Sequence, residues 1–130
     1  MVIKFKKYKG SVVGTSLIGE IDVSYKQLVK VFGKPDKGDG YKTEAEWRLK
    51  FEDGTIATIY DYKSGKSYDP EYGLPVEKIR DWHIGGRVQE REKALLNVYM
   101  AVFGKQGIIK GIFEGKDEFL KLLRLLIKRS

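Results

Sequence analysis

Residues 46–62 read EWRLKFEDGTIATIYDY. Trp47, Leu49 and Phe51 alternate with Glu46, Arg48, Lys50 and Glu52. A period of two marks a β-strand with one buried face. Asp53-Gly54 is the preferred pair for a two-residue hairpin turn, in which both central residues take positive φ. The return strand then runs from Thr55 to Tyr62. In that register Phe51 faces Ile56 and Trp47 faces Tyr60, and such cross-strand pairs contribute a few tenths to about 1 kcal/mol each. Ile56, Ala57, Ile59 and Tyr60 give the return strand apolar residues on both faces. It is therefore predicted to be a central strand.

The flanking elements follow from the same signals. Val2 to Tyr8 and Leu17 to Val23 are strand candidates. Ser24 is a good helix N-cap, with Gln27 completing a capping box and Val23 and Leu28 forming a hydrophobic staple. Leu28, Val31 and Phe32 supply the apolar stripe, Gly33 the stop, and Pro35 prevents continuation. Residues 36–44 read as loop, and so do 63–75. Residues 76–84 read as a short edge strand, since Ile79, Trp82 and Ile84 stand among charges. A helix is predicted from Arg87 to Phe103, ended by Gly104, and a last one from Asp117 to Lys128. That last helix is apolar around more than half its circumference, which requires deep packing or a second molecule. The sum is one α+β domain spanning 1–130. It is expected to hold an antiparallel sheet of about four strands centred on the 46–62 hairpin, with helices packed on one face.

The whole chain sets broad bounds. It has 130 residues, 42% hydrophobic and 33% charged, with a formal net charge of +7. Excess Lys and Arg favour anionic partners. Lys4, Lys6, Lys7 and Lys9 at one end, and Lys121, Arg124, Lys128 and Arg129 at the other, lie in segments without an acid. No apolar run approaches the roughly 20 residues that span a bilayer, and the N-terminus lacks the apolar core of a signal peptide. A cytoplasmic location without membrane partners is expected. With no cysteine, disulfides and thiolate metal sites are excluded.

Two stretches carry candidate chemistry. In Trp82-His83-Ile84-Gly85-Gly86-Arg87 the glycine pair precedes the predicted helix. Its first-turn N–H groups would then form an anion site. Trp82 would stack on a ring, His83 would hydrogen-bond a phosphate, and Arg87 would clamp it. The plainer reading makes Gly85-Gly86 a turn and Trp82 a core residue. In the second stretch, Tyr60, Tyr62, Lys63, Lys66, Tyr68 and Tyr72 interleave aromatic faces with cations, as single-strand and nucleotide binders do. The plainer reading there is strand aromatics followed by an exposed lysine turn. Asp36, Asp39, Glu44, Glu46, Asp53 and Asp61 read as loop, turn and surface acids, so neither a metal site nor a cofactor is expected. No serine lies in a nucleophile elbow, and no GxxxxGK[ST] loop is present. No catalytic residue is assigned and enzymatic activity is not expected.

Four motifs in order, LVKVFGKP (28–35), GDGYKTEAEW (38–47), FEDGTIATIYDYK (51–63) and WHIGG (82–86), carry a resemblance. They resemble a family of small uncharacterised proteins encoded by phages and other viruses, over about Gly14 to Gly86. The resemblance implies a viral accessory protein in the host cytoplasm, a class that often counters host defence. Joined to the residues, it suggests non-enzymatic capture of a small anionic, nucleotide-type ligand. A protein–protein antagonist of a host defence effector and a basic nucleic-acid binder are the alternatives. Homo-oligomerisation through helix 117–128 is a further expectation.

Overall fold

A computed structural model describes residues 3–104. The described chain is α+β, with six strands in one antiparallel sheet and two α-helices. The strands are β1 (Phe5–Lys7), β2 (Ser16–Asp22), β3 (Asp36–Lys37), β4 (Ala45–Phe51), β5 (Ile56–Tyr60) and β6 (Asp81–Gly86). The helices are α1 (Tyr25–Phe32) and α2 (Arg91–Phe103). The sheet order is β1-β4-β5-β6-β2, with β3 also pairing with β4. The predicted helix 117–128, and the oligomer contact assigned to it, lie outside the described residues.

Helix α1 forms where its caps place it. The Ser24 hydroxyl accepts from the Gln27 N–H at 3.1 Å, and Gly33 ends the helix at φ 86°. Only half of the expected capping box is present. The Gln27 side chain donates to the Val102 carbonyl instead, at 3.3 Å, and so ties α1 to the end of α2.

The hairpin forms as expected, but in a different register. The Phe51 N–H donates to the Thr55 carbonyl at 2.9 Å, and the Gly54 N–H to the Phe51 carbonyl at 2.9 Å. The turn thus has three residues, Glu52 to Gly54. Among the described residues, Lys63 is the one non-glycine at positive φ, so Asp53 is not, while Gly54 sits at 90°. This is the arrangement in which one glycine ends the loop as a bulge. The pairing consequently moves by one residue, to Lys50 with Ile56, Trp47 with Ile59 and Glu46 with Tyr60. A slip of one residue exchanges the faces of a strand. Ala57 and Ile59 therefore point into the core with Trp47 and Leu49, and Tyr60 points away from it. The polar side chains at the turn make the choice. The Asp53 carboxylate accepts from the Thr55 N–H at 3.0 Å. Asn97 of α2 donates to Asp53 at 3.0 Å and to the Thr55 hydroxyl at 2.9 Å.

Strand β6 is interior, between β5 and β2, not an edge. Val76–Lys78 before it is a short 3-10 turn. Ile84 and Gly86 share the core face with Ile59 and Ala57, while His83 faces the other way. The core joins Ile21, Leu28, Phe32, Trp47, Ile59, Trp82, Ile84, Leu96 and Val98, so α1 and α2 lie on one face of the sheet. Trp47 and Trp82 meet edge-to-face at 5.4 Å. Both indoles are satisfied within the core, Trp47 donating to the Gly33 carbonyl at 2.8 Å and Trp82 to the Val23 carbonyl at 3.0 Å.

Candidate functional site

The sheet face opposite the helices carries a row of chemistry. Register pairs Glu46 with Tyr60, Tyr60 with His83, and His83 with Glu20. Four side chains from β4, β5, β6 and β2 therefore stand side by side. The Tyr60 and His83 rings are 5.7 Å apart, edge-to-face. Tyr62, just past the end of β5, lies 5.4 Å from the same imidazole. Glu20 approaches it from the other side, Oε1 to Nε2 at 3.7 Å. Burial first, then the Glu46 carboxylate and the Tyr62 hydroxyl, push the Tyr60 phenol above its ordinary value. It therefore stays a neutral donor at physiological pH.

The aromatic set continues outward. Lys63, at φ 62°, places Nζ 5.1 Å from the Tyr62 ring centre and 5.3 Å from that of Tyr68. Tyr68 lies 5.5 Å from Tyr41, and Lys42 stands 5.9 Å over the Tyr41 ring. Cation–ring contacts of this kind are individually weak when exposed to solvent. Asp61 sets where this segment leaves the sheet. Its buried carboxylate accepts from the Glu44 N–H at 2.8 Å and the Ala45 N–H at 3.0 Å. Burial raises its pKa above the ordinary carboxylate value even against those hydrogen bonds. The Glu44 carboxylate in turn accepts from the Ser67 N–H at 2.6 Å, which pins the following loop.

Beside the row is an open depression of about 420 Å³, lined by Lys37, Lys42, Arg48, Glu46, Asp39, Tyr60 and Tyr62 among others. Arg48 and Glu46 pair at 2.7 Å. Asp39 is occupied with its own loop, accepting from the Tyr41, Lys42 and Thr43 N–H groups at 2.8, 2.9 and 3.0 Å. Those bonds, Tyr41 and Thr43 foremost, hold its carboxyl below the usual value. Lys37 and Lys42 leave the depression basic on balance.

Of the residues singled out from sequence, Tyr60, Tyr62, Lys63 and His83 come together. Lys66 is exposed in the 63–75 loop. The other four have different places from those expected. Trp82 is fully buried and bonded through its indole, so it offers no ring to a ligand. Gly85 and Gly86 are not a turn before a helix. They lie inside β6, paired with Thr58 and Ala57 on one side and with Leu17 and Ser16 on the other, so the ladder uses their backbone. They are glycines because neighbours come close. A Cβ on Gly85 would stand 2.5 Å from the Thr58 hydroxyl, and one on Gly86 2.7 Å from Ile18 Cδ1. Helix α2 begins at Arg91 after a 3-10 turn at Val88–Glu90, so Arg87 does not stand at its first turn. Arg87 is four residues past His83, about 13 Å along an extended strand, and does not share the ring cluster.

The sequence reading missed Glu20, Lys37, Lys42 and Arg48. Arg48 and Glu20 sit at outward positions of amphipathic strands, a readable pattern. Which of them would meet His83 depends on strand order and register, which the pattern leaves open. No protein-family model matches the chain, and no curated protein matches its sequence.

Proposed function

We propose that the face bearing Tyr60, Tyr62 and His83 captures a small anionic ligand of nucleotide type, without turning it over. One observation carries this reading. Tyr62 and His83, 5.4 Å apart, adjoin a basic depression of about 420 Å³ that Tyr62 itself lines. That volume falls in the range of small-ligand sites. A flat base stacks on exposed aromatic faces for about 1–3 kcal/mol. Lys37, Lys42 and Arg48 are within the same depression and suit a phosphate. In the setting that the viral resemblance implies, such capture would withdraw a nucleotide signal from host defence.

The test is a thermal-shift screen of the full chain against linear and cyclic mono- and dinucleotides, followed by calorimetry on any hit. A rise in melting temperature is expected for at least one nucleotide. Tyr62→Ala and Lys42→Ala should each weaken that binding about tenfold, the scale of one lost stack or charge contact. If no nucleotide at millimolar concentration moves the melting temperature, the reading fails.

A single-stranded nucleic acid is the second reading. It is favoured by the extension of the ring–lysine set to Tyr68, Tyr41 and Lys42, more surface than one nucleotide needs. It requires affinity that falls steeply with salt and that grows with oligonucleotide length.

A further inference from the structure

At the β2 side of the same face stand Glu20, Asp81 and His83. One ligand-type atom from each lies within 4.8 Å of the other two. The three come from two strands in fixed register, Glu20 opposite His83 and Asp22 opposite Asp81. Asp81 and His83 are two residues apart on β6 and so share a face. We infer that Glu20, Asp81 and His83 form a binding site for one divalent first-row transition ion, Zn²⁺ or a close neighbour in the series.

Four features lead there. First, the His83–Glu20 separation of 3.7 Å is too long for a hydrogen bond. It is close to the roughly 3.4 Å that separates two ligands at about 2.1 Å from a tetrahedral ion. The remaining contraction falls to carboxylates on mobile side chains, the Glu20 side chain being 62% exposed. Second, the imidazole is oriented. Tyr60 and Tyr62 contact its ring at 5.7 and 5.4 Å, so Nε2 is directed to β2 before any ion arrives. Third, the local charge is arranged for a cation. Arg80, the nearest basic residue in sequence, is engaged with Asp22 at 3.0 Å and does not neutralise Asp81 or Glu20. Fourth, one nitrogen and two carboxylate oxygens suit zinc, cobalt or manganese, whereas magnesium and calcium prefer oxygen donors alone. Three protein ligands leave a coordination position open. It would be available to water or an anion on the side shared with Tyr60 and Tyr62. The inference stands apart from nucleotide capture, because the ion alone is the probe.

The experiment is calorimetric titration of ZnCl₂ into the metal-free full chain, repeated with CoCl₂ while following visible absorption. One equivalent is expected to bind in the micromolar range, with a cobalt band of tetrahedral or five-coordinate intensity. His83→Ala, Glu20→Gln and Asp81→Asn should each weaken binding at least about tenfold, since even outer partners of metal ligands commonly matter that much. Glu71→Gln, which removes an exposed acid in the 63–75 loop away from the three ligands, should bind as the wild type does. Glu20 and Asp81 are exposed, so their variants retain the fold and keep the test decisive if His83→Ala is unstable. The inference is overturned if the wild type takes up no ion at 1 mM-scale concentrations. It is equally overturned if His83→Ala binds unchanged, or if Glu20→Gln and Asp81→Asn both do.

Discussion

The two faces of this sheet are built from alternate residues of the same strands, yet they differ in kind. On one, Trp47, Ile59, Ile84 and Trp82 are buried among α1 and α2, and both indole N–H groups have carbonyl partners. Every feature there is explained by burial and hydrogen bonding. On the other, the Glu46, Tyr60, His83 and Glu20 side chains form a row outside that core. Packing accounts for the first face, and chemistry is left over on the second. The difference is the reason the proposed site is assigned to the second face.

Breaking the packed face should have the largest effect. Trp82→Ala removes a fully buried indole and should cost about 3–5 kcal/mol, much of the stability of a domain this size. Chemical denaturation measures it. A loss below about 1 kcal/mol would show that Trp82 is not core. Asp61→Ala comes next. It leaves the part-buried Glu44 N–H and the buried Ala45 N–H without their acceptor, for a loss of roughly 2–4 kcal/mol. Asp61→Asn, which retains one acceptor oxygen, should lose less than half of that.

The hairpin turn sets which residues of β5 fall on each face. Gly54→Ala places a Cβ at φ 90° and should cost about 1–2 kcal/mol, whereas Asp53→Gly should not relieve any φ strain. How much the sequence revealed turns on this loop. The hairpin, the central place of β5, and α1 with Ser24 and Gly33 at its ends are all local, and local signals state them. Asp53-Gly54, however, serves a two-residue turn and a three-residue turn alike. The polar contacts of Asn97, 42 residues from Thr55, favour the second. That one-residue difference moves Tyr60 from the core face to the side of His83. Likewise, the charges around Trp82 read as an edge strand, because alternation does not say whether a polar face belongs to an edge strand or to an interior one. Gly85-Gly86 reads as a turn because the side chains that would crowd a Cβ there, Thr58 and Ile18, are remote in sequence.

Substitution on the second face should separate binding from stability. Tyr62→Ala, at a residue 41% exposed, should change stability by no more than about 0.5 kcal/mol while weakening nucleotide binding about tenfold. Equal loss of both would merge the two faces into one structural unit. The smallest effect is electrostatic and confined to the rim. Hydrogen bonds from the Tyr41 and Thr43 N–H groups hold the Asp39 carboxyl below its ordinary value in the folded chain. Its stabilisation of the 39–43 loop is therefore full above that ordinary value and is lost as pH falls through the lowered one. The Tyr41 and Thr43 amide resonances should report the transition, and Asp39→Asn should abolish it.

The most direct measurement uses the fact that the chain has one histidine. Its imidazole Cε1–H gives one unambiguous proton resonance in the middle of the proposed site. In the metal-free protein, adding AMP, 3′,5′-cyclic AMP or a cyclic dinucleotide should shift that resonance saturably for at least one of them, with Tyr60 and Tyr62 ring signals moving in parallel. An imidazole signal that stays fixed while a nucleotide binds, as shown by a raised melting temperature, would place the ligand elsewhere and contradict the account.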